Sequence, residues 1–203
     1  MHKTVIMLLF SALLPLLSAA EIHFQAGQGT PPFKLQNGAE ITQEGYLRLN
    51  GNGACAELLA DKEAYLSSSR GTTIIAILKP VEYRDCALLE RADSFRLGLT
   101  SGRRYNLSTA WDQAPKAAFV SGMPVTPGEG WDIVAAHVER HVDTANGINA
   151  VRLTLFVNGQ QMAQREVNNV ETFGGNLPFF VGKGQQSFFG DIAALHLFQR
   201  ILS

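Results

Sequence analysis

Gly190-Asp191-Ile192-Ala193-Ala194-Leu195-His196-Leu197-Phe198-Gln199-Arg200-Ile201-Leu202-Ser203 closes the chain and reads as a strand running almost to its last residue. Apolar side chains alternate through it, the period-2 signature of a β-strand. Upstream, Val151-Arg152-Leu153-Thr154-Leu155-Phe156-Val157-Asn158-Gly159-Gln160 alternates in the same way. Its Asn158-Gly159 pair is the dipeptide preferred by a two-residue type I′ hairpin, in which both turn positions need positive φ. The pattern predicts a domain zipped shut by its final strand.

Working outward, Tyr46-Leu47-Arg48-Leu49-Asn50 and Phe95-Arg96-Leu97-Gly98-Leu99 alternate, and Thr72 to Leu78 is an apolar β-branched run. Tyr105 to Trp111, Trp131 to Val142, Gln160 to Val167, Phe179 to Val181 and Asp191 to Ile201 complete the strand-like set. Gly51-Asn52-Gly53 and Ser101-Gly102 punctuate it as turns. Glu21 to Asn37 reads as a loose lead-in or an edge strand, and Pro115 to Gly130 as irregular. No segment sustains a helical period. Short strands with glycine-rich turns predict an all-β fold, an antiparallel two-sheet β-sandwich of the jelly-roll kind.

Met1-His2-Lys3 is basic, Val5 to Leu17 is almost wholly apolar, and Ser18-Ala19-Ala20 supplies small residues before Glu21. That is the layout of a secretory signal peptide over residues 1–20. The competing reading, a membrane anchor, suffers from an apolar run short of the ~20 residues that span a bilayer. Residues 21–203 then form a single domain. Its charge is nearly balanced, −1 for the whole chain at pH 7 and one unit lower without Lys3, which argues against nucleic acid as a partner. In an oxidising compartment Cys55 and Cys86 are expected to pair. The bridge would close a long loop and contribute about 3–4 kcal/mol; two free buried thiols are the alternative.

From Tyr46 to Ser203 the order of features resembles a laminin G-like domain of the concanavalin A-like lectin and glucanase superfamily. Tyr46-Leu47-Arg48-Leu49-Asn50-Gly51 matches an early strand ending in glycine, and Thr73-Ile74-Ile75-Ala76-Ile77-Leu78-Lys79-Pro80 a central strand, with Ile77 in the place of a usual tryptophan. Gly130-Trp131-Asp132-Ile133-Val134-Ala135, Leu155-Phe156-Val157-Asn158-Gly159 and Phe180-Val181-Gly182 follow in the family's order. The resemblance implies a concanavalin A-like jelly roll with Trp131 in its core. Many relatives carry an acidic residue directly after the Gly-x-Ile of the last strand, where this chain has Ala193-Ala194. Calcium needs several convergent oxygens, so no metal or cofactor is assigned.

Catalysis by paired carboxylates needs two acids at close range. The nearest approach is Glu166-Val167-Asn168-Asn169-Val170-Glu171, where positions five apart face opposite sides of a strand. His137, Glu139 and His141 share one strand face opposite Val134, Ala136 and Val138, and read as a polar outer face in preference to a zinc or copper site. Sugar recognition asks for an aromatic platform flanked by polar groups; Tyr105, Asn106, Trp111 and Asp112 supply that chemistry beside Arg103 and Arg104. The expectation is a secreted or periplasmic binding module without catalysis, whose partner is a polysaccharide or glycoconjugate and which neither binds nucleic acid nor inserts stably in a membrane. The alternative is a protein-interaction and adhesion module for a surface protein, or an envelope structural module; a glycoside hydrolase or lyase is a third and weaker reading.

Overall fold

The computed structural model of the chain describes residues 22–59, 71–91, 95–109, 119–125, 130–143, 145–168, 178–183 and 187–202. Two antiparallel sheets make up the fold, with strands numbered in chain order. The eight-stranded sheet runs β13 (Gln160–Asn168), β12 (Ile148–Val157), β11 (Asp132–Asp143), β6 (Gly71–Pro80), β15 (Phe189–Phe198), β4 (Leu47–Asn50) and β3 (Glu40–Ile41), with β1 (Ile22–Gln25) also on β15. The seven-stranded sheet runs β10 (Phe119–Ser121), β9 (Tyr105–Thr109), β8 (Phe95–Leu99), β7 (Cys86–Arg91), β14 (Phe179–Val181), β5 (Cys55–Leu58) and β2 (Phe33–Gln36). This is the expected antiparallel β-sandwich.

The predicted closing strand is central to the first sheet. β15 pairs with β6 along one edge, while β4 and β1 lie end to end along the other: Ile192 faces Leu47, and Leu195 faces Phe24. It ends at Phe198 instead of running on to Ile201. The residues beyond turn across the start of β6, where the buried Thr73 hydroxyl donates to Arg200 O (2.8 Å) and accepts from Leu202 N (3.1 Å). The lead-in resolves into two edge strands, β1 and β2. Asn158 and Gly159 hold φ of 53° and 81°, the left-handed pair that the hairpin demands.

Between the sheets lies one apolar core. Leu47, Leu49, Ile74, Leu78, Val134, Leu153, Leu195 and Leu197 meet Leu58, Leu88, Phe95, Leu97, Leu107 and Phe179, all buried. Each fully buried side chain of this size contributes about 1.5–3 kcal/mol. Alternation fixes which residues enter, because a one-residue slip would turn every core side chain outward.

The expected disulfide is absent. Cys55 is on β5 and Cys86 on β7, and β14 runs between those strands. Two strand spacings separate the thiols' backbones by about 9.5 Å, beyond the ~7 Å reach of a disulfide. Both cysteines are free and buried, and burial raises both thiols, Cys86 to about 11. They remain neutral and act as small apolar residues.

Candidate functional site

Of the residues selected from the sequence for sugar binding, the described pair, Tyr105 and Asn106, does not share a surface. Tyr105 is 1% exposed and points between the sheets with Leu107, because alternate residues of β9 face the core. Asn106 faces the opposite side, over Gly98: a Cβ on that glycine would stand 2.6 Å from Asn106 Oδ1. Trp111 and Asp112 lie outside the described residues. Tyr105 is therefore unavailable as a stacking platform, since its ring is enclosed on both faces by core packing.

Trp131 reverses the expectation in the other sense. It lies outside the main core, on the outer face of the eight-stranded sheet, where it is partly exposed. Parity places it there: Val134, Ala136 and Val138 of β11 are buried inward, so the odd-numbered residues point outward. The same rule turns Tyr46 and Arg48 outward from a segment whose Leu47 and Leu49 enter the core. Tyr46 and Trp131 reach over β15 and β6 and meet with ring centroids 4.9 Å apart, tilted by 52°. Beneath them are Ile77, Ala193 and Ala194, with Ile133 alongside.

Two local features make room for these rings. β15 carries a β-bulge, its register with β6 passing from Ile192 and Leu78 directly to Ala194 and Ile77. Ala193 and Ala194 thus both join the outer cluster, and their methyl groups leave space for flat aromatic side chains. At the margin, Arg48 grips Asp191 through two hydrogen bonds, Nε to Oδ1 at 2.7 Å and Nη2 to Oδ2 at 3.0 Å. Lys79, directly across from Asp191 on β6, is exposed. The bond to Asp191 raises the Arg48 pKa further, so this cation is permanent. An aromatic pair bordered by a fixed fork of donors and acceptors is suited to stacking on a sugar ring while hydrogen-bonding its hydroxyls.

Trp131 is held by the residue after it. Asp132 Oδ2 accepts from the buried Tyr105 hydroxyl at 2.7 Å, and its Oδ1 accepts from Asn158 Nδ2 at 3.2 Å. The Asn158 side chain also accepts from Ile133 N at 2.9 Å, so the hairpin, β9 and the start of β11 are tied together. Burial, then the Asp132 charge and hydrogen bond, push the Tyr105 phenol far above its ordinary range; it stays a donor. Tyr105→Phe leaves a carboxylate oxygen short of its donor and is expected to cost about 1–3 kcal/mol. A urea melt indistinguishable from the wild type's would show that the bond contributes nothing.

The other predicted sets separate. His137 packs on Phe156, centroids 5.2 Å apart, and burial lowers its pKa. Glu139 meets Arg152 at 3.4 Å, and the same Arg152 holds Glu166 at 2.8 Å. Among the described residues no three His, Cys, Asp or Glu side chains gather to hold a metal ion. Glu166 stands on a regular strand facing Arg152, and Glu171 lies outside the described residues.

The family model described as concanavalin A-like lectin/glucanases superfamily matches residues 50–203, well over half of the chain. The chain belongs to that superfamily. No curated protein matches it in sequence. Among solved structures, the CBM40 of the Ruminococcus gnavus IT-sialidase, bound to α2,3-sialyllactose, has a TM-score of 0.56 at 15% identity, over 91% of this chain and 94% of that one. Domain 4 of AbnA, an extracellular GH43 arabinanase from Geobacillus stearothermophilus in complex with arabinotriose, scores 0.53 at 18% identity, over 90% and 82%. A receptor binding domain scores 0.68 at 8% identity, with 94% of this chain spanning 50% of that one. At such identities the likeness is one of fold.

The positions at which the sequence departs from the expected concanavalin A-like pattern lie on the outer face of the larger sheet. Ile77, in the position where the resemblance sets a tryptophan, forms the floor under Trp131. Ala193-Ala194, where many relatives carry an acid, forms the rest of it.

Proposed function

We propose that this domain is an exported, non-catalytic carbohydrate-binding module, and that a sugar stacks on the Tyr46 and Trp131 pair. The observation that carries the proposal is the placement of two partly exposed aromatic rings, 4.9 Å apart, beside the Arg48 and Asp191 fork on an outer sheet face. Polar residues are the usual occupants of a solvated sheet face, so the clustering of aromatic side chains there calls for a ligand. Likeness in fold to two sugar-bound modules supports the reading. Export rests on the signal-like residues 1–20, and N-terminal sequencing of the exported protein should begin at Glu21. No helix among the described residues is long and apolar enough to cross a membrane.

A glycan array followed by titration tests the site. Trp131→Ala is expected to weaken sugar binding by about 2 kcal/mol, roughly 30-fold in Kd, with Trp131→Phe restoring most of it. Trp111→Ala runs in parallel. Binding lost with Trp111→Ala and kept with Trp131→Ala would move the site to the segment after β9. The protein-interaction reading has its own supporting observation: Ile75, Ala135 and Phe156, partly exposed and side by side across β6, β11 and β12, extend the apolar surface beyond what one sugar covers. An array without a hit, together with a specific protein partner lost on Phe156→Glu, would favour it.

A further inference from the structure

We propose that β1 is a proton-released clasp on this platform: charging the stacked His23 and His196 side chains undocks β1 from β15 and withdraws the support beneath Tyr46. The first step stands on the fold alone; only the effect on ligand rests on the carbohydrate reading.

β1 is a short edge strand fixed by two core residues, Ile22 and Phe24, and by its ladder to β15. On the outer face its exposed His23 lies over His196, centroids 4.5 Å apart and rings inclined by only 29°. His196 is 1% exposed, and its Nδ1 has no hydrogen-bond partner. Two imidazoles packed in this way are compatible only while neutral. A proton on His196 would bring a cation against His23, with His196 itself buried away from solvent.

Among the described residues no anion faces the pair to offset that charge. Beside His196, β6 offers Ile75 and Ile77, and its one charged residue, Lys79, lies at the far end opposite Asp191. On the other edge of β15, Arg48 of β4 also pairs with Asp191, and Glu40 of β3 faces Arg48. β1 adds only Gln25 to the outer face. Burial accordingly lowers both histidines, His196 to about 3, with the nearby His23 as a second cause.

The direction follows from linkage. The docked state holds His196 neutral well below the ~6.5 of a free imidazole. Docking is therefore fully favoured above about pH 6.5 and weakens as pH falls toward 3, by up to about tenfold per unit. Between pH 7.5 and 5.0 the docked to undocked ratio should fall about 30-fold.

β1 and the platform are physically continuous. The chain leaving β1 donates from Ala26 N to Ala193 O at 2.8 Å, and Ala193 is the bulge residue under the aromatic rings. Gly27 then packs against Gly45, the residue before Tyr46, so closely that a Cβ on Gly45 would stand 2.2 Å from Gly27 N. Undocking β1 removes both contacts together.

Amide exchange by NMR, corrected for the intrinsic effect of pH, is the test, with no sugar present. Protection at Phe24 and Ala26 should drop about 30-fold from pH 7.5 to 5.0 while Leu153 in the core keeps its own. His196→Phe, which retains an aromatic ring, should remove most of the pH dependence of β1 protection, leaving only the small part due to His23. If that variant does not fold, the imidazole resonances of the wild type decide: His196 should stay neutral until the β1 amides lose protection. Titration of His196 near 6.5 with β1 still protected, or β1 protection unchanged between the two pH values, overturns the clasp. In a second arm, sugar affinity should fall over the same interval in the wild type and by much less in His196→Phe. β1 release without any change in affinity overturns control of the platform; absence of sugar binding at every pH overturns the carbohydrate reading and leaves the clasp to the exchange result.

Discussion

A chain ending at Phe188 is expected to show no cooperative unfolding transition. Among the described residues β15 alone joins β6 to β4 and β1 in the larger sheet, so its removal splits that sheet into β13-β12-β11-β6 and a detached β4-β3 hairpin, with β1 unpaired. It also strips the buried Ile192, Leu195, Leu197 and Phe198 from the molecule. At about 1.5–3 kcal/mol each, their loss alone is comparable with the whole 5–15 kcal/mol stability of a typical domain. Near-ultraviolet circular dichroism should be flat and calorimetry featureless. A sharp melt from the shortened chain would refute the closing role of the last strand.

Gly45→Ala should be among the most damaging single-atom changes in the protein. Gly45 has φ of +85°, a conformation that costs an L-residue about 1–2 kcal/mol. The new methyl would also stand 2.2 Å from Gly27 N and 2.9 Å from Gly27 Cα. Both are backbone atoms, which cannot rotate aside, and such overpacking typically costs a further 1–3 kcal/mol. The total, about 2–5 kcal/mol, should appear as a large fall in the urea midpoint. Gly53→Ala is the matched control, because Gly53 has φ of +81° but nothing within 4 Å of a Cβ. It should cost only the conformational part. Equal midpoints for the two variants would mean that the chain after β1 yields freely, contrary to the close packing of Gly27 on Gly45.

Much of the frame was legible because alternation is a local property. Phe95–Leu99 and Phe179–Val181 form strands at the expected bounds, and the Asn158-Gly159 turn has the expected handedness. β7 carries no periodic signal, for a physical reason. Its register with β8 slips between Ala87 and Leu89, so Leu88 and Leu89 are both buried and the period of two disappears from Cys86–Arg91. β5 shows Cys55, Ala56 and Leu58 all buried, which likewise erases alternation. A bulge or a strand covered on both faces leaves no periodic trace in the chain.

The candidate site was less legible, although part of its signal was present. Leu47 and Leu49 entering the core place Tyr46 and Arg48 outside by parity, and Val134 with Ala136 does the same for Trp131. Family resemblance pointed Trp131 inward, and the strand's own alternation was the better guide. Parity also puts Tyr105 with the inward Leu107. Parity alone thus assigns Trp131 to the outer face and Tyr105 to the core.

By itself, then, the amino-acid sequence determined the class of fold, the hairpin, the closing strand and the two faces of each regular strand, since each depends on residues a few positions apart. Only the tertiary structure decided which strands became neighbours. It set β14 between Cys55 and Cys86, keeping the thiols apart, and set β15 and β6 between Tyr46 and Trp131, with alanines at a bulge low enough for the rings to meet above them. Those outcomes depend on the order of strands across a sheet, which is fixed by long-range packing of the whole core, and a period of two residues carries no record of that order.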